Sequence, residues 1–109
     1  MSKNHILNNV KSQVNEIVLR FNEQIIKDPK IYFITRYKGE YLYLDRLKFD
    51  KTHPICRLKY NGKMDNWDFA IFKYSKEIYD KDECFFPGSG FINGTIEGAL
   101  KAGMKAYSG

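Results

Sequence analysis

Three Arg-x-Lys pairs carry most of the chemistry this sequence offers: Arg36-x-Lys38, Arg46-x-Lys48 and Arg57-x-Lys59. A spacing of two places both members of a pair on one face of an extended strand, because successive side chains alternate. Each pair sits in a run of β-branched and aromatic residues, so strands are the natural reading. Stacked side by side, Arg36, Lys38, Arg46, Arg57 and Lys59 would form a cationic sheet face, and Tyr37, Tyr41, Tyr43 and Tyr60 would add flat rings. Cations for phosphates and rings for bases are what a nucleic-acid surface without sequence preference requires. The first hairpin decides which residues meet. A two-residue loop at Lys38-Gly39 pairs Arg36 with Tyr41 and sends Arg46 to the other face; a loop one residue longer puts Arg36 and Arg46 together. Glu40, Asp45 and Asp50 lie among the cations. The plainer reading is therefore a solvated face laced with cross-strand ion pairs.

Other chemistry is thinly represented. His53-x-x-Cys56, with His5 and Cys84, supplies four soft ligands. A structural zinc site usually shows two closely spaced ligand pairs. Only one pair is present, and Cys56 falls in an apolar strand, where a buried free thiol is ordinary. No metal and no cofactor are expected. Gly88-Ser89-Gly90 and Gly94-Thr95 precede a helix N-terminus, where free amides and the dipole favour an anion. Neither phosphate-loop pattern occurs, and a loop capped by Thr95 accounts for the same residues. There is no GxSxG and no HExxH. Asp45, Asp65 and Asp68 stand near strand ends, where acids usually form turns, so an enzyme is not expected.

The aromatic residues Trp67, Phe69, Phe72, Tyr74, Tyr79, Phe85, Phe86 and Phe91 crowd the second half of the chain. Core packing is their ordinary role. Yet the fourth predicted strand is apolar on both sides, with Trp67, Phe69 and Ile71 on one and Ala70, Phe72 and Tyr74 on the other. A sheet backed by helices on one face should alternate, so both faces are expected to be covered. The Phe85–Phe91 segment folding over the second face would cover part of it, and a second copy of the chain is the other candidate. Trp67, Phe69, Phe85, Phe86 and Phe91 are accordingly the expected interaction surface.

Elements that position these residues follow from periodicity. Ile6, Leu7, Val10, Val14, Ile17, Val18, Phe21 and Ile25 recur at spacings of three and four, giving an amphipathic helix of roughly six turns. Ser2 can cap it, and Asp28-Pro29 ends it. Strands follow at 31–37, 40–49, 55–60 and 67–74, with turns at Lys38-Gly39 and Asn61-Gly62 and a loop at Asp50–Pro54. Short connections make them an antiparallel meander. From Ser75 to Asn93 an irregular segment is expected, with one helical turn near Asp80–Glu83. A last helix begins after Thr95. Gly98, Ala99, Ala102, Gly103 and Ala106 give it small sides that let its backbone approach a neighbour closely. The fold class is thus α+β, two-layer: a four-stranded antiparallel meander with a long N-terminal and a short C-terminal helix, in a single domain spanning 1–109.

The order of residues resembles a family of short bacterial proteins of unknown function that run helix, three or four strands, helix. It rests on Tyr37-Lys38-Gly39 leading into an aromatic strand that ends Asp45-Arg46, then Cys56-Arg57-Leu58-Lys59-Tyr60, Trp67, and a Pro and Thr before a small-residue helix. Members typically show acid–Arg–Pro at the end of the second strand, where this chain has Leu47 in place of the proline. The glycine-rich stretch at 88–94 also departs from the family. The resemblance supports the fold and implies no activity.

Composition bounds the rest. A chain of 109 residues, 43% apolar, 28% charged and 16% aromatic, fits one folded domain and excludes a coiled coil or a disulfide miniprotein. Its net charge of +5 is uneven: residues 1–64 hold 13 Lys and Arg against 6 acids, and residues 65–109 hold 5 against 7. No apolar run approaches a membrane span, and the N-terminus lacks a signal-peptide pattern. A cytoplasmic protein with reduced cysteines and no membrane partner is expected. Its expected role is a non-catalytic binding or interaction module, with a homodimer through the fourth strand left open beside cover from within the chain. The alternative is weak, sequence-independent nucleic-acid binding through Arg36, Lys38, Arg46, Arg57 and Lys59.

Overall fold

The structure, a computed structural model, describes residues 6–83 and 85–107. Along the chain run α1 (Asn8–Phe21), β1 (Ile31–Lys38), β2 (Tyr41–Lys48), β3 (Lys51–Tyr60), β4 (Trp67–Lys73), β5 (Ile78–Asp80) and α2 (Ile96–Ala106). The strands form one antiparallel sheet in sequence order. The α+β class and the meander agree with the sequence, but the sheet has five strands rather than four. No helical turn forms near Asp80–Glu83: Asp80 ends β5, and Lys81-Asp82 is a plain turn. Tyr74–Glu77 closes a tight turn with Glu77 at φ 54, after which Ile78 and Tyr79 pair with Lys73 and Phe72. Three residues are too few for alternation to show.

α1 buries Val10, Val14, Val18 and Phe21, most of the apolar stripe that the spacing predicts, while Leu7 and Ile25 stand exposed. It starts at Asn8, later than the periodicity of Ile6 and Leu7 suggests, and Ser2 lies outside the described residues. A π-helical turn, Asn22–Ile26, extends it until Lys27 takes a left-handed conformation (φ 57) just before Asp28-Pro29. Both helices lie on one face of the sheet. The Phe21 ring meets Phe33 at 6.0 Å, edge to face, and Gly103 of α2 packs on Ile55 and Phe33. A Cβ at Gly103 would lie 2.5 Å from Ile55 Cγ2, so the small side of α2 is there for close approach. Thr95 caps α2, its Oγ1 accepting from Gly98 N–H at 3.0 Å. Val14, Leu42, Leu44, Leu58 and Leu100 fill the space between the layers.

Two connections differ from expectation, and each moves side chains. The first hairpin turns at Gly39-Glu40, one residue later than Lys38-Gly39, pairing Lys38 with Tyr41 and Arg36 with Tyr43. The expected loop at Asp50–Pro54 is instead a two-residue turn, Phe49-Asp50, with both φ values positive (49 and 67). That mirror-image turn matches strand twist, so β3 begins at Lys51. Pro54 is tolerated within β3 because the ladder is already interrupted. Ile55 is an extra residue opposite the Leu44–Asp45 step, and β4 pairs with β3 only from Cys56 onward.

Candidate functional site

Cross-strand partners share a face in an antiparallel sheet, so the register assigns every side chain. Phe33, Thr35, Tyr37, Leu42, Leu44, Cys56, Leu58, Tyr60, Trp67, Phe69 and Ile71 fall on the helix side. The open face carries two complete rows across four strands. One row reads Arg36, Tyr43, Arg57, Ala70; the next reads Lys38, Tyr41, Lys59, Asp68. Four of the five basic residues expected to cooperate are thus brought together. Arg46 is not: opposite Phe33 and His53, it belongs to the other face. The two-residue turn imposes that parity, and Arg46 Nε is buried there without a hydrogen-bond partner among the described residues.

Rings and guanidinium groups interleave on the open face. The Arg36 guanidinium lies 4.3 Å from the Tyr43 ring centre, and that of Arg57 lies 4.5 Å from Tyr41 and 5.4 Å from Tyr79. Tyr79, on β5, meets Tyr43 at 5.3 Å and Phe72 at 5.0 Å, both edge to face. Ala70 beside Arg57 is small and leaves room for this. Between β3 and β5 lies a cleft of about 440 Å³ lined by Tyr41, Arg57, Lys59, Asp68, Ala70 and Tyr79 among others. Tyr79 is the site residue that sequence reading assigned only to a core cluster. Its one signal was an isolated Ile-Tyr pair. Conversely, Tyr37 and Tyr60, expected as stacking rings, face the helices. The Tyr37 hydroxyl bonds Asn15 Oδ1 at 2.7 Å, and Tyr60 packs on Trp67 at 4.8 Å.

The two arginines differ in their charge environment. Arg36 donates from Nε to Asp45 Oδ2 at 3.2 Å and from Nη2 to Asp45 Oδ1 at 3.4 Å, over a carboxylate side chain only 7% exposed. Hydrogen bonding to Asp45 raises the Arg36 pKa further. Arg36 therefore serves first to balance Asp45. Its Nη2 also reaches the Tyr79 hydroxyl at 3.5 Å. Burial pushes the Tyr79 phenol up, against the lowering effect of that Arg36 hydrogen bond. Arg57 has no carboxylate within ion-pair distance among the described residues. It is a fixed cation held between two rings.

The expected interaction residues scatter. Trp67 is 3% exposed, its indole N–H donating to Met64 O at 3.1 Å, so it belongs to the core. Phe69 is covered within the chain by Phe86, stacked at 6.0 Å. The Phe85–Phe91 segment therefore folds over the helix side of β4. Its other side is covered in part by Tyr79. Phe85 stands 91% exposed, and Phe91 about half exposed beside the start of α2. The remaining motifs are structural where they are described. Cys56 is fully buried, and burial pushes its thiol pKa far up, with the Asp45 carboxylate adding. A thiol so held is neither nucleophile nor metal ligand. No three His, Cys, Asp or Glu side chains converge among the described residues, and His5 and Cys84 lie outside them. Asn93 Oδ1 accepts from Thr95 N–H and Oγ1, and Thr95 itself caps Gly98, so the start of α2 binds its own loop. No helix among the described residues is long and apolar enough to cross a membrane. No family model, curated protein or solved structure matches the chain.

Proposed function

We propose that the protein is a non-catalytic binding module whose open sheet face takes single-stranded nucleic acid without strong sequence preference. The observation that carries this is Arg57, a guanidinium held over Tyr41 and beside Tyr79 with no carboxylate partner among the described residues. A guanidinium lodged between two rings keeps its N–H edge for a phosphate, and the tyrosine rings beside it are the surfaces a base would stack on. Lys38 and Lys59 flank it in the adjacent row and suit the backbone. Arg36, tied to Asp45, holds Tyr43 and Tyr79 in place more than it contributes free charge. This reading places the protein in the cytoplasm, where its ligand would be found.

The test is fluorescence anisotropy with labelled mixed-sequence single-stranded RNA and DNA at several salt concentrations. Lys38, Arg57 and Lys59, none in an ion pair among the described residues, predict a log–log salt slope of at most about −2 for a single strand, less where Asp68 opposite Lys59 competes. Arg57→Ala should weaken binding about tenfold or more, as loss of a stacked cation does, and flatten the slope. Lys101→Ala on α2 should leave both unchanged. No binding at low salt, or an Arg57→Ala variant that binds like the parent, overturns the reading.

A second reading rests on Phe85. Its ring is almost fully exposed beside a hollow of about 280 Å³ lined by Ile71, Tyr74, Phe86 and Tyr107. A second copy seated there would form the homodimer. Sedimentation of the parent and of Phe85→Ser decides it, and a parent that stays monomeric at high concentration removes it.

A further inference from the structure

β1 is an outer strand of the sheet, and its free edge is only half closed. Phe49 N–H donates to Lys30 O at 3.0 Å. Even-numbered residues of β1 therefore turn their backbone groups toward β2, and Ile31, Phe33, Thr35 and Tyr37 turn theirs outward. The chain fills the first two outward positions itself. Ile31 N–H donates to Asp28 O at 3.3 Å. Asn22, in the π-helical turn, then clamps Phe33: Phe33 N–H donates to Asn22 Oδ1 at 2.8 Å, and Asn22 Nδ2 donates to Phe33 O at 2.9 Å. One carboxamide thus imitates one residue of a sixth strand. The outward N–H and C=O groups of Thr35 and Tyr37 have no partner among the described residues.

The surroundings of this open half are two-sided. On the helix side a groove of about 340 Å³ runs between α1 and β1, lined by Asn15, Val18, Leu19, Phe33 and Thr35 among others. Leu19 is 57% exposed. On the open face stand Arg36 and Lys38, and Lys11 of α1 lies 5.1 Å from the Tyr37 ring.

We propose that the Thr35–Tyr37 edge of β1 takes an extended segment of a partner protein, added as a short antiparallel or parallel strand. Its side chains would alternate between apolar, toward Val18 and Leu19, and acidic, toward Arg36 and Lys38. Outward donors and acceptors repeating every second residue match an extended backbone and no other common conformation. Lys38, which has no ion pair among the described residues, selects the acidic side chains, with the Asp45-paired Arg36 beside it. A second copy fits poorly: the antiparallel β1–β1 register that uses all four free groups sets Arg36 opposite Arg36, and like charges directly opposite repel. Asn22 fixes where the added strand ends, because Phe33 is already taken. The proposal shares Lys38 with the nucleic-acid reading, but the exchange protection at Thr35 and Tyr37 and the Thr35→Pro variant report on the β1 edge alone.

The experiment follows backbone amide NMR shifts of the whole chain during titration with two synthetic probes, a peptide of alternating Glu and Val and its Lys–Val counterpart. The Glu–Val peptide should shift the amides of Thr35–Lys38 and slow hydrogen exchange at Thr35 and Tyr37. Thr35→Pro should abolish the shifts, since proline is tolerated on an outer edge yet removes an outward donor. Asn22→Ala should tighten binding several-fold by releasing Phe33 for pairing. Lys38→Glu should reverse the preference between the probes, which keeps the test intact if Thr35→Pro fails to fold. No shift at this edge, equal response to both probes, or edge shifts caused only by raising protein concentration would overturn the proposal, the last in favour of self-pairing.

Discussion

Gly103→Ala sets two effects of known sign against each other. Replacing glycine by alanine inside a helix normally stabilises it by about 1 kcal/mol. Here the added methyl carbon would sit 2.5 Å from Ile55 Cγ2, whereas carbon atoms in good contact lie roughly 3.5–4.0 Å apart. Either α2 or Ile55 must therefore give way by about 1 Å or more. Ile55 has little freedom to do so: it is 1% exposed and sits at the bulge that sets the β2–β3 register. Overpacking a tight core costs about 1–3 kcal/mol, and the rigidity of this neighbour argues for the upper part of that range. The net expectation is a loss of about 1–2 kcal/mol, or roughly 5–15 °C in Tm for a domain of this size. Thermal and urea unfolding followed by circular dichroism measure it. The double variant Gly103→Ala, Ile55→Ala should lose at least 1 kcal/mol less than the two single losses added together, because the clash is absent once Ile55 is truncated. A Gly103→Ala protein more stable than the parent would refute the close-packing account of α2.

Two other outcomes follow from buried groups. The unfolded Cys56 thiol ionises near 9.0 while burial holds the folded one protonated far higher. Between those values the native state keeps a proton the unfolded state has lost, so stability must fall as pH rises, by about 1.4 kcal/mol at pH 10. Cys56→Ala should abolish this part of the slope in urea melts between about pH 8 and pH 10, and a parent with no such slope would contradict the burial. Arg36→Met leaves the Asp45 carboxylate buried without its partner and should cost about 1–3 kcal/mol. The double variant Arg36→Met, Asp45→Leu should recover much of that loss, and strictly additive losses in urea melts would show that the pair is not coupled.

The register was only half legible because moving a two-residue turn along the chain by one residue changes every cross-strand partner but leaves each side chain on the same face. Sequence reading placed the first turn at Lys38-Gly39, one residue early, yet both placements make a two-residue turn and give Arg46 the same parity, away from Arg36. What was lost was the partner: Arg36 faces Tyr43 rather than Tyr41, and that brings Tyr79 into the site. The Phe49-Asp50 turn was invisible because Phe49 disfavours positive φ even though Asp50 tolerates it, and strand pairing on both sides holds it there. β5 escaped because three residues carry no usable period. Trp67 reads from the sequence as an interaction residue because an apolar strand with two apolar faces looks the same whether its cover lies within the chain or on a partner.

Local patterns therefore settled the α+β class, the meander order, the start of α2 at its Thr95 cap, and the presence of Arg-x-Lys pairs on strands. Each depends on periodicity, capping or composition within a few residues, which the chain states directly. The grouping of Arg36, Lys38, Arg57 and Lys59 without Arg46, the Arg57–Tyr41–Tyr79 sandwich and the Asn22 clamp on β1 depend on residues far apart in the chain, 11 positions for Asn22 and Phe33 and 22 for Arg57 and Tyr79. Such contacts are fixed by register, by the bulge at Ile55 and by which face the helices bury, and those are decided when the layers pack together.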